Sequence, residues 1–426
     1  MRTLAQMLAG RVHYAWVVAG VIFLVLLAAV GVRATPSVLI VPLERAFGWS
    51  RGTISFAISL NIVLYGLVGP FAAALMQQLG IRRTVLLALT LISVSVASST
   101  WMTAPWQLVL SWGLAVGLGT GVTALVLGAT IVNRWFAKQQ GLVMGIITAS
   151  TATGQLVFLP MLAAVAESAG WQWVAWIAAL AIAAMIPAVA LLVPESPAAI
   201  GLAPYGAAAD DIAAATARAN PIGVAMATLG RASRSGGFWL LFASFFVCGA
   251  STNGLIGTHL ISYCVDHGIP EVQGASLLAA MGIFDLVGTT ASGWLSDRFD
   301  SRRLLFWYYG LRGLALIYLP YSGFSLYGLS IFAVFYGLDW IATVPPTVRL
   351  TTELFGKADA PIIFGWLLAG HQLGAGVTAF EAGVLRSVLG AYLVPVLISG
   401  ALCLIAALLV LRIGRGRAGG IAPVPA

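Results

Sequence analysis

The sequence predicts an all-α membrane protein, with twelve transmembrane helices arranged as two pseudo-symmetric six-helix halves. Three observations predict it: a composition that water cannot solvate, twelve apolar stretches of bilayer-crossing length, and a repeat relating the two halves. Of 426 residues, 60% are hydrophobic and 8% charged, and mean hydropathy is +0.97. Soluble domains carry about 25% charged residues. A chain this apolar cannot cover its own surface with polar groups, so a lipid bilayer is its expected solvent.

A bilayer core of about 30 Å needs roughly 20 helical residues to cross it. The apolar stretches run over 13–42, 52–78, 83–102, 105–132, 139–166, 171–194, 237–265, 272–296, 303–321, 325–348, 360–385 and 391–413. Several approach 30 residues, which predicts tilted or kinked helices. The first is too long for a cleaved signal and is expected to remain as a helix.

Basic residues set the orientation. Seventeen Arg and Lys, among them Arg82, Arg83, Arg134, Lys138, Arg349 and Lys357, fall on the side of both termini. Arg45, Arg51 and Arg386 fall on the other side, and Arg33 and Arg312 lie inside predicted helices. Both termini are therefore expected in the cytoplasm. The stretch after helix 6 is rich in Ala, Pro and Gly, holds Asp210 and Asp211, and has no apolar period. It predicts a mostly flexible cytoplasmic linker over 196–236, between halves at 1–195 and 237–426.

Several function classes fall away. The net charge of +8 is spread in ones and twos, with no stripe or patch able to track phosphates, so nucleic acid is not an expected partner. Cys248, Cys264 and Cys403 sit in apolar runs without metal or disulfide spacing. There is no G-x-x-x-x-G-K, H-E-x-x-H or G-x-S-x-G sequence. No enzyme activity, cofactor or metal is expected.

The repeat comes in two pairs. Gly293-Trp-Leu-Ser-Asp297-Arg298-Phe-Asp-Ser-Arg302-Arg303 joins helices 8 and 9, and Ala73-Ala-Leu-Met-Gln77-Gln-Leu-Gly80-Ile-Arg82-Arg83 joins helices 2 and 3. Trp135-Phe136-Ala-Lys138, then Gly145 and Gly154, matches Leu354-Phe355-Gly-Lys357, then Gly365 and Gly374. Gly113, Gly117, Gly119 and Gly121 in helix 4, and Gly365, Gly370, Gly374 and Gly376 in helix 11, let helices approach closely. The helix 8–9 loop resembles the G-x-L-a-D-R-x-G-R-R signature of the major facilitator superfamily, which implies that family's fold and transport by alternating access. In that reading Gly293, Asp297, Arg298, Arg302 and Arg303 form a conformational latch that pins helix ends by charge and helix-dipole contacts. Gln77 stands where the Asp of the first copy belongs, so that latch is expected to be weaker.

Three further segments narrow the resemblance. They are Gly31-Val-Arg33-Ala-Thr-Pro36 running on to Phe47-Gly-Trp49-Ser50, Arg134-Trp135-Phe136-Ala-Lys138 followed by Gly141, and Pro197-Ala-Ala-Ile-Gly201-Leu-Ala-Pro204-Tyr205-Gly206. Together they resemble the monocarboxylate transporters and their bacterial relatives, including oxalate–formate exchangers. In that branch a basic residue of helix 1 and an Asp–Arg pair of helix 8 serve an anionic substrate and a proton. Arg33 and Asp285 stand at those positions, and Thr289 replaces the partner Arg, which removes one carboxylate clamp.

Ionisable groups inside spans are costly and are functional candidates. Arg33 can capture an anion bidentately, or else snorkel to headgroups. Asp285, near mid-membrane, suits proton coupling, with a structural ion pair as the alternative. Asp339 in helix 10 is a second coupling candidate, and Arg312 is expected to pair with an acid on helix 8 or 10. Asn61, Tyr65, Thr148, Asn253, Tyr336, His371 and Gln372 are candidate substrate-binding groups, with His259 and Tyr263 as further polar positions. The expected partners are a small organic anion, protons or a counter-substrate, and lipid, with the chain monomeric in a bacterial inner membrane. The competing expectation is export of amphiphilic or cationic compounds.

Overall fold

The computed structural model describes residues 13–207 and 221–414, so Asp210, Asp211 and the arginines at 2, 11, 218, 415 and 417 lie outside the described residues. The first six membrane helices are α1 (Tyr14–Phe47), α2 (Arg51–Gln78), α3 (Ile81–Ser98), α4 (Pro105–Trp135), α5 (Gln140–Ala169) and α6 (Trp171–Leu192). The last six are α7 (Gly236–Asp266), α8 (Glu271–Ser296), α9 (Ser301–Tyr318), α10 (Leu326–Gly356), α11 (Asp359–Leu389) and α12 (Leu393–Val410).

Eleven of these are long and apolar enough to cross a membrane. The twelfth, α9, carries Arg302, Arg303 and Arg312 within 18 residues, which makes it too polar to be recognised by composition alone. Large apolar side chains such as Leu87, Leu180, Leu314 and Leu408 point outward, as a lipid-facing surface requires. The expected end of helix 1 at 42 is too early: α1 runs to Phe47, through Pro36 and Pro42, and stops at Gly48 in the left-handed region (φ 67°).

Three membrane helices are irregular. Val109–Ala115 of α4 and Ala250–Ile256 of α7 form π-helical segments. The α-helix of α10 stops at Asp339 and resumes at Val344. Pro345 and Pro346 explain that interruption: neither has an N–H to give to the carbonyls of Ile341 and Ala342. A continuous helix 10 was the expectation, and the proline pair overrides it.

The halves meet chiefly where α2 packs on α11 and α5 on α8. The bundle has two ends: the linker end, which carries residues 193–207 and 221–236, and the far end, which carries the α1–α2 and α7–α8 connections. Order in the linker exceeds expectation. Residues Pro221–Ala232 form a helix held by Arg231–Asp359 (3.0 Å) and by the Trp366 indole N–H donating to Ala225 O (3.1 Å). Tyr205 pairs backbone-to-backbone with Trp135 and Ala137.

The repeated loops behave alike. Arg302 donates to Ile413 O just past α12 (2.5 Å), and Arg82 donates to Ala190 O in α6. Each ties the start of the third helix of its half to the carbonyl end of the sixth, where an arginine is favoured. Gln77, whose side chain lies outside the described residues, does not prevent this in the first half. Asp297 is 81% exposed and only 3.9 Å from Arg349, Arg298 lies over the Trp294 ring, and Arg303 is exposed.

Glycine is required at Gly288 of α8, where a Cβ would run into the Leu338 carbonyl of α10, but nothing lies within 4 Å of one at Gly293. Gly288→Ala is therefore expected to cost about 1–3 kcal/mol by forcing two backbones apart. Gly293→Ala should stay within about 0.5 kcal/mol of wild type. Thermal unfolding of both purified variants checks this; equal melting temperatures would contradict it.

Candidate functional site

A polar cavity opens between the halves at mid-depth. Val30, Arg33, Ala34 and Ser37 of α1, Asn61 and Tyr65 of α2, and Gln155 of α5 line it from the first half. Asn253, Gly257 and Thr258 of α7, Leu278 of α8 and Trp340 of α10 line it from the second. Its volume of about 80 Å³ suits several waters or one small molecule.

The irregular helices build this lining. The π segment of α4 frees the Trp112 carbonyl, which accepts from Asn61 Nδ2 (2.6 Å) and fixes that amide. The π segment of α7 carries Asn253, whose backbone carbonyl accepts from Thr258 (2.8 Å). The α10 interruption presents the Trp340 ring, which packs against Gly257.

Arg33 lies with its guanidinium carbon 3.9 Å from the centre of the Tyr65 ring. Cation–π attraction holds the guanidinium against the ring, and both side chains line the cavity. Among the described residues no carboxylate pairs with Arg33, so the cavity holds a half-buried, unneutralised cation. Of the expected binding residues, Arg33, Asn61, Tyr65 and Asn253 come together here. Thr148 lies on α5, its side chain outside the described residues.

Tyr336, His371 and Gln372 stand behind the lining. Tyr336 is buried and donates to Ser251 O (2.7 Å). His371 is buried against Phe245, and Gln372 fills the gap opposite Gly66 where α2 meets α11. Packing between helices, not access to the cavity, determines where these three point.

The acids divide. Asp339 accepts from Arg312 Nε (2.6 Å) in a fully buried pair. Arg312 Nη1 donates to Cys248 Sγ (2.9 Å), while Nη2 donates to the carbonyls of Asp339 (2.5 Å) and Trp340 (3.2 Å). Asp339 is thus committed to Arg312. Asp285 uses one oxygen only: Oδ1 accepts from Thr289 Oγ1 (2.8 Å) and from the Ile341 N–H (2.9 Å).

At the far end, Arg51 is a hub, 5% exposed. It donates to Glu44 (2.9 Å), to both oxygens of Asp266 (2.8 and 3.0 Å) and to the Tyr392 hydroxyl (3.3 Å). Burial pushes the Tyr392 phenol up to about 12 despite the nearby Arg51 charge, so Tyr392 is neutral at physiological pH. Its O–H then donates to His259 Nδ1 (3.0 Å), and His259 Nε2–H donates to Ala379 O (2.8 Å). Asp266 also holds Arg386 (2.6 Å), and Arg45 reaches Glu271 (3.1 Å). Arg51–Asp266 and Arg45–Glu271 join the two halves and close this end.

Sequence reasoning missed Gln155, Trp340 and the Arg51 hub. The proline pair after Trp340 was the available signal for the second. Arg45 and Arg51 entered only the count of basic residues on that side, although Glu44, Asp266 and Glu271 supply acids there.

The chain is 23% identical to the MFS-type transporter YcxA of Bacillus subtilis over 370 residues, covering 83% of this chain and 84% of that one. It is 25% identical to Monocarboxylate transporter 13 of Rattus norvegicus over 388 residues, covering 88% and 83%. Among solved structures, a bacterial homolog of the human lysosomal transporter Spinster, inward-facing and unoccupied, superposes with a TM-score of 0.75 at 14% identity, over 95% of this chain and 99% of that one. The D-xylose-proton symporter gives 0.71 at 14% identity, over 94% and 98%. The family profile of the Major Facilitator Superfamily matches residues 21–347, and the chain, a membrane transporter and not an enzyme, belongs to that superfamily.

Proposed function

We propose that this protein carries a small, monocarboxylate-like organic anion by alternating access, driven by a proton or by a counter-substrate. The observation that carries the reading is Arg33, a cation over the Tyr65 ring in a cavity between the halves, with no carboxylate among the described residues to neutralise it. An anion supplies the missing charge, and a bidentate hydrogen-bonded carboxylate fits the guanidinium edge. Asp285 is the group we assign to the proton: Oδ1 is occupied by Thr289 and Ile341, which leaves Oδ2 to gain and lose it.

The far-end ion pairs fit a transporter closed on that side. The excess of Arg and Lys at the linker end fits a cytoplasmic linker and cytoplasmic termini in a bacterial inner membrane. Residues 196–236 would connect halves at 1–195 and 237–426 in a monomer, with Gly293, Asp297, Arg298, Arg302 and Arg303 acting as a latch in the opposite state.

The test is uptake of labelled organic anions into proteoliposomes, with and without an inward proton gradient. Arg33→Gln should lower uptake about 10- to 100-fold, as expected for charged hydrogen bonds worth about 1.5–3 kcal/mol. Asp285→Asn should lose gradient stimulation while keeping exchange. Movement of cations or amphiphiles in place of anions would refute the reading.

A further inference from the structure

The interruption of α10 leaves backbone groups that a helix would have paired, and side chains from two neighbouring helices pair them. The Ile341 N–H donates to Asp285 of α8 (2.9 Å), and the Ala342 carbonyl accepts from Ser292 of α8 (2.5 Å). The carbonyls of Asp339 and Trp340 accept from Arg312 of α9. Buried backbone polar groups left unpaired are costly, so these side chains fix the shape of the break. Trp340 sits within it and forms a wall of the substrate cavity.

We infer that Asp285, Ser292 and Arg312 are positioning residues, which set the place of Trp340 in the cavity by capping the α10 break. Asp285 then has two separable uses. Its Oδ1 is a hydrogen-bond acceptor for backbone, needed whether or not the carboxyl is charged. Its other oxygen is free for a different role. The close contact between Gly288 and the Leu338 carbonyl keeps α8 near enough for these caps to reach. The inference rests on transport through this cavity and is independent of the charge of the substrate.

The variants that decide it are Asp285→Asn, which keeps an acceptor oxygen, and Asp285→Leu, which removes it. Amide hydrogen exchange in the segment 339–344 is the first measurement. We expect exchange about tenfold faster in Asp285→Leu than in wild type and little change in Asp285→Asn, since local opening tracks the loss of protecting bonds.

The second measurement is the rate at which N-ethylmaleimide labels a cysteine introduced by Ala34→Cys, on the opposite wall of the cavity. Native Cys248, Cys264 and Cys403 are buried. A displaced Trp340 should change that rate several-fold in Asp285→Leu and leave it unchanged in Asp285→Asn, whereas a role confined to stability would leave both unchanged. If Asn and Leu open the segment equally, charge and not the acceptor matters, and the inference is overturned. It is also overturned if neither opens it or if Ala34→Cys labelling does not move. Should Asp285→Leu fail to fold, Ser292→Ala removes another cap and is read by the same two measurements. No outcome depends on anion uptake, so failure of the anion reading and failure of this one are distinguishable.

Discussion

Replacing Asp339 with leucine is expected to cost about 3–5 kcal/mol of stability, because it strands the Arg312 charge inside the second half. Arg312 is fully buried, and its pairing with Asp339 at 2.6 Å is supplemented by the Cys248 sulfur and two backbone carbonyls. Arg312→Met alone should cost a similar amount by leaving the carboxylate without its cation. The double substitution of Arg312→Met with Asp339→Leu should recover much of the loss, since an apolar pair of similar volume avoids desolvating two charges. Thermal unfolding and monodispersity of the purified proteins would be compared. Two singles as stable as wild type would show that the pair is not the structural bond described, and a double no better than the singles would place the weight on the backbone caps of Arg312.

The second large effect is expected at the far end. Arg51→Gln should shift the resting population toward a state open at that end. The hub's charged hydrogen bonds, worth about 1.5–3 kcal/mol in net terms, hold Asp266 across the interface, and losing them amounts to about a 10- to 100-fold change in the closed-to-open ratio. Ser55 of α2, buried and opposite Gly383 of α11, reports it. A cysteine introduced by Ser55→Cys should be alkylated slowly in the parent and much faster with Arg51→Gln. Arg386→Gln should have a smaller effect, since Arg51 still holds Asp266. Unchanged labelling with Arg51→Gln would mean that apolar packing of α2 on α11 suffices to close this end.

The general architecture was legible because lipid imposes a coarse rule on composition: runs of apolar residues longer than a bilayer crossing leave little choice of fold. Even α9 was legible, since its arginines interrupt a span whose place in the repeat is fixed. Arg33, Asn61, Tyr65 and Asn253 were legible as polar groups inside apolar helices. Which face each presents depends on neighbours distant in sequence, so Tyr336, His371 and Gln372 could not be separated from them by spacing. Arg312 was expected to pair with an acid on helix 8 or 10, and packing of α9 against α10 makes that acid Asp339, a residue whose expected use was coupling. Irregular helix segments were the least legible. A π segment has no sequence pattern of its own, whereas the α10 break has one in Pro345 and Pro346, although an unbroken helix 10 was expected.

The buried arginine of α9 also has a consequence for how the chain enters its membrane. An arginine at the centre of an isolated helix costs about 2.5–3.5 kcal/mol on insertion, and α9 is only 18 residues long with three arginines in all. The group that neutralises Arg312 lies 27 residues later, on α10. During synthesis α9 therefore leaves the ribosome ahead of its counter-charge, and its stable residence in the lipid waits for the helix that follows. The two are best regarded as one unit of membrane integration.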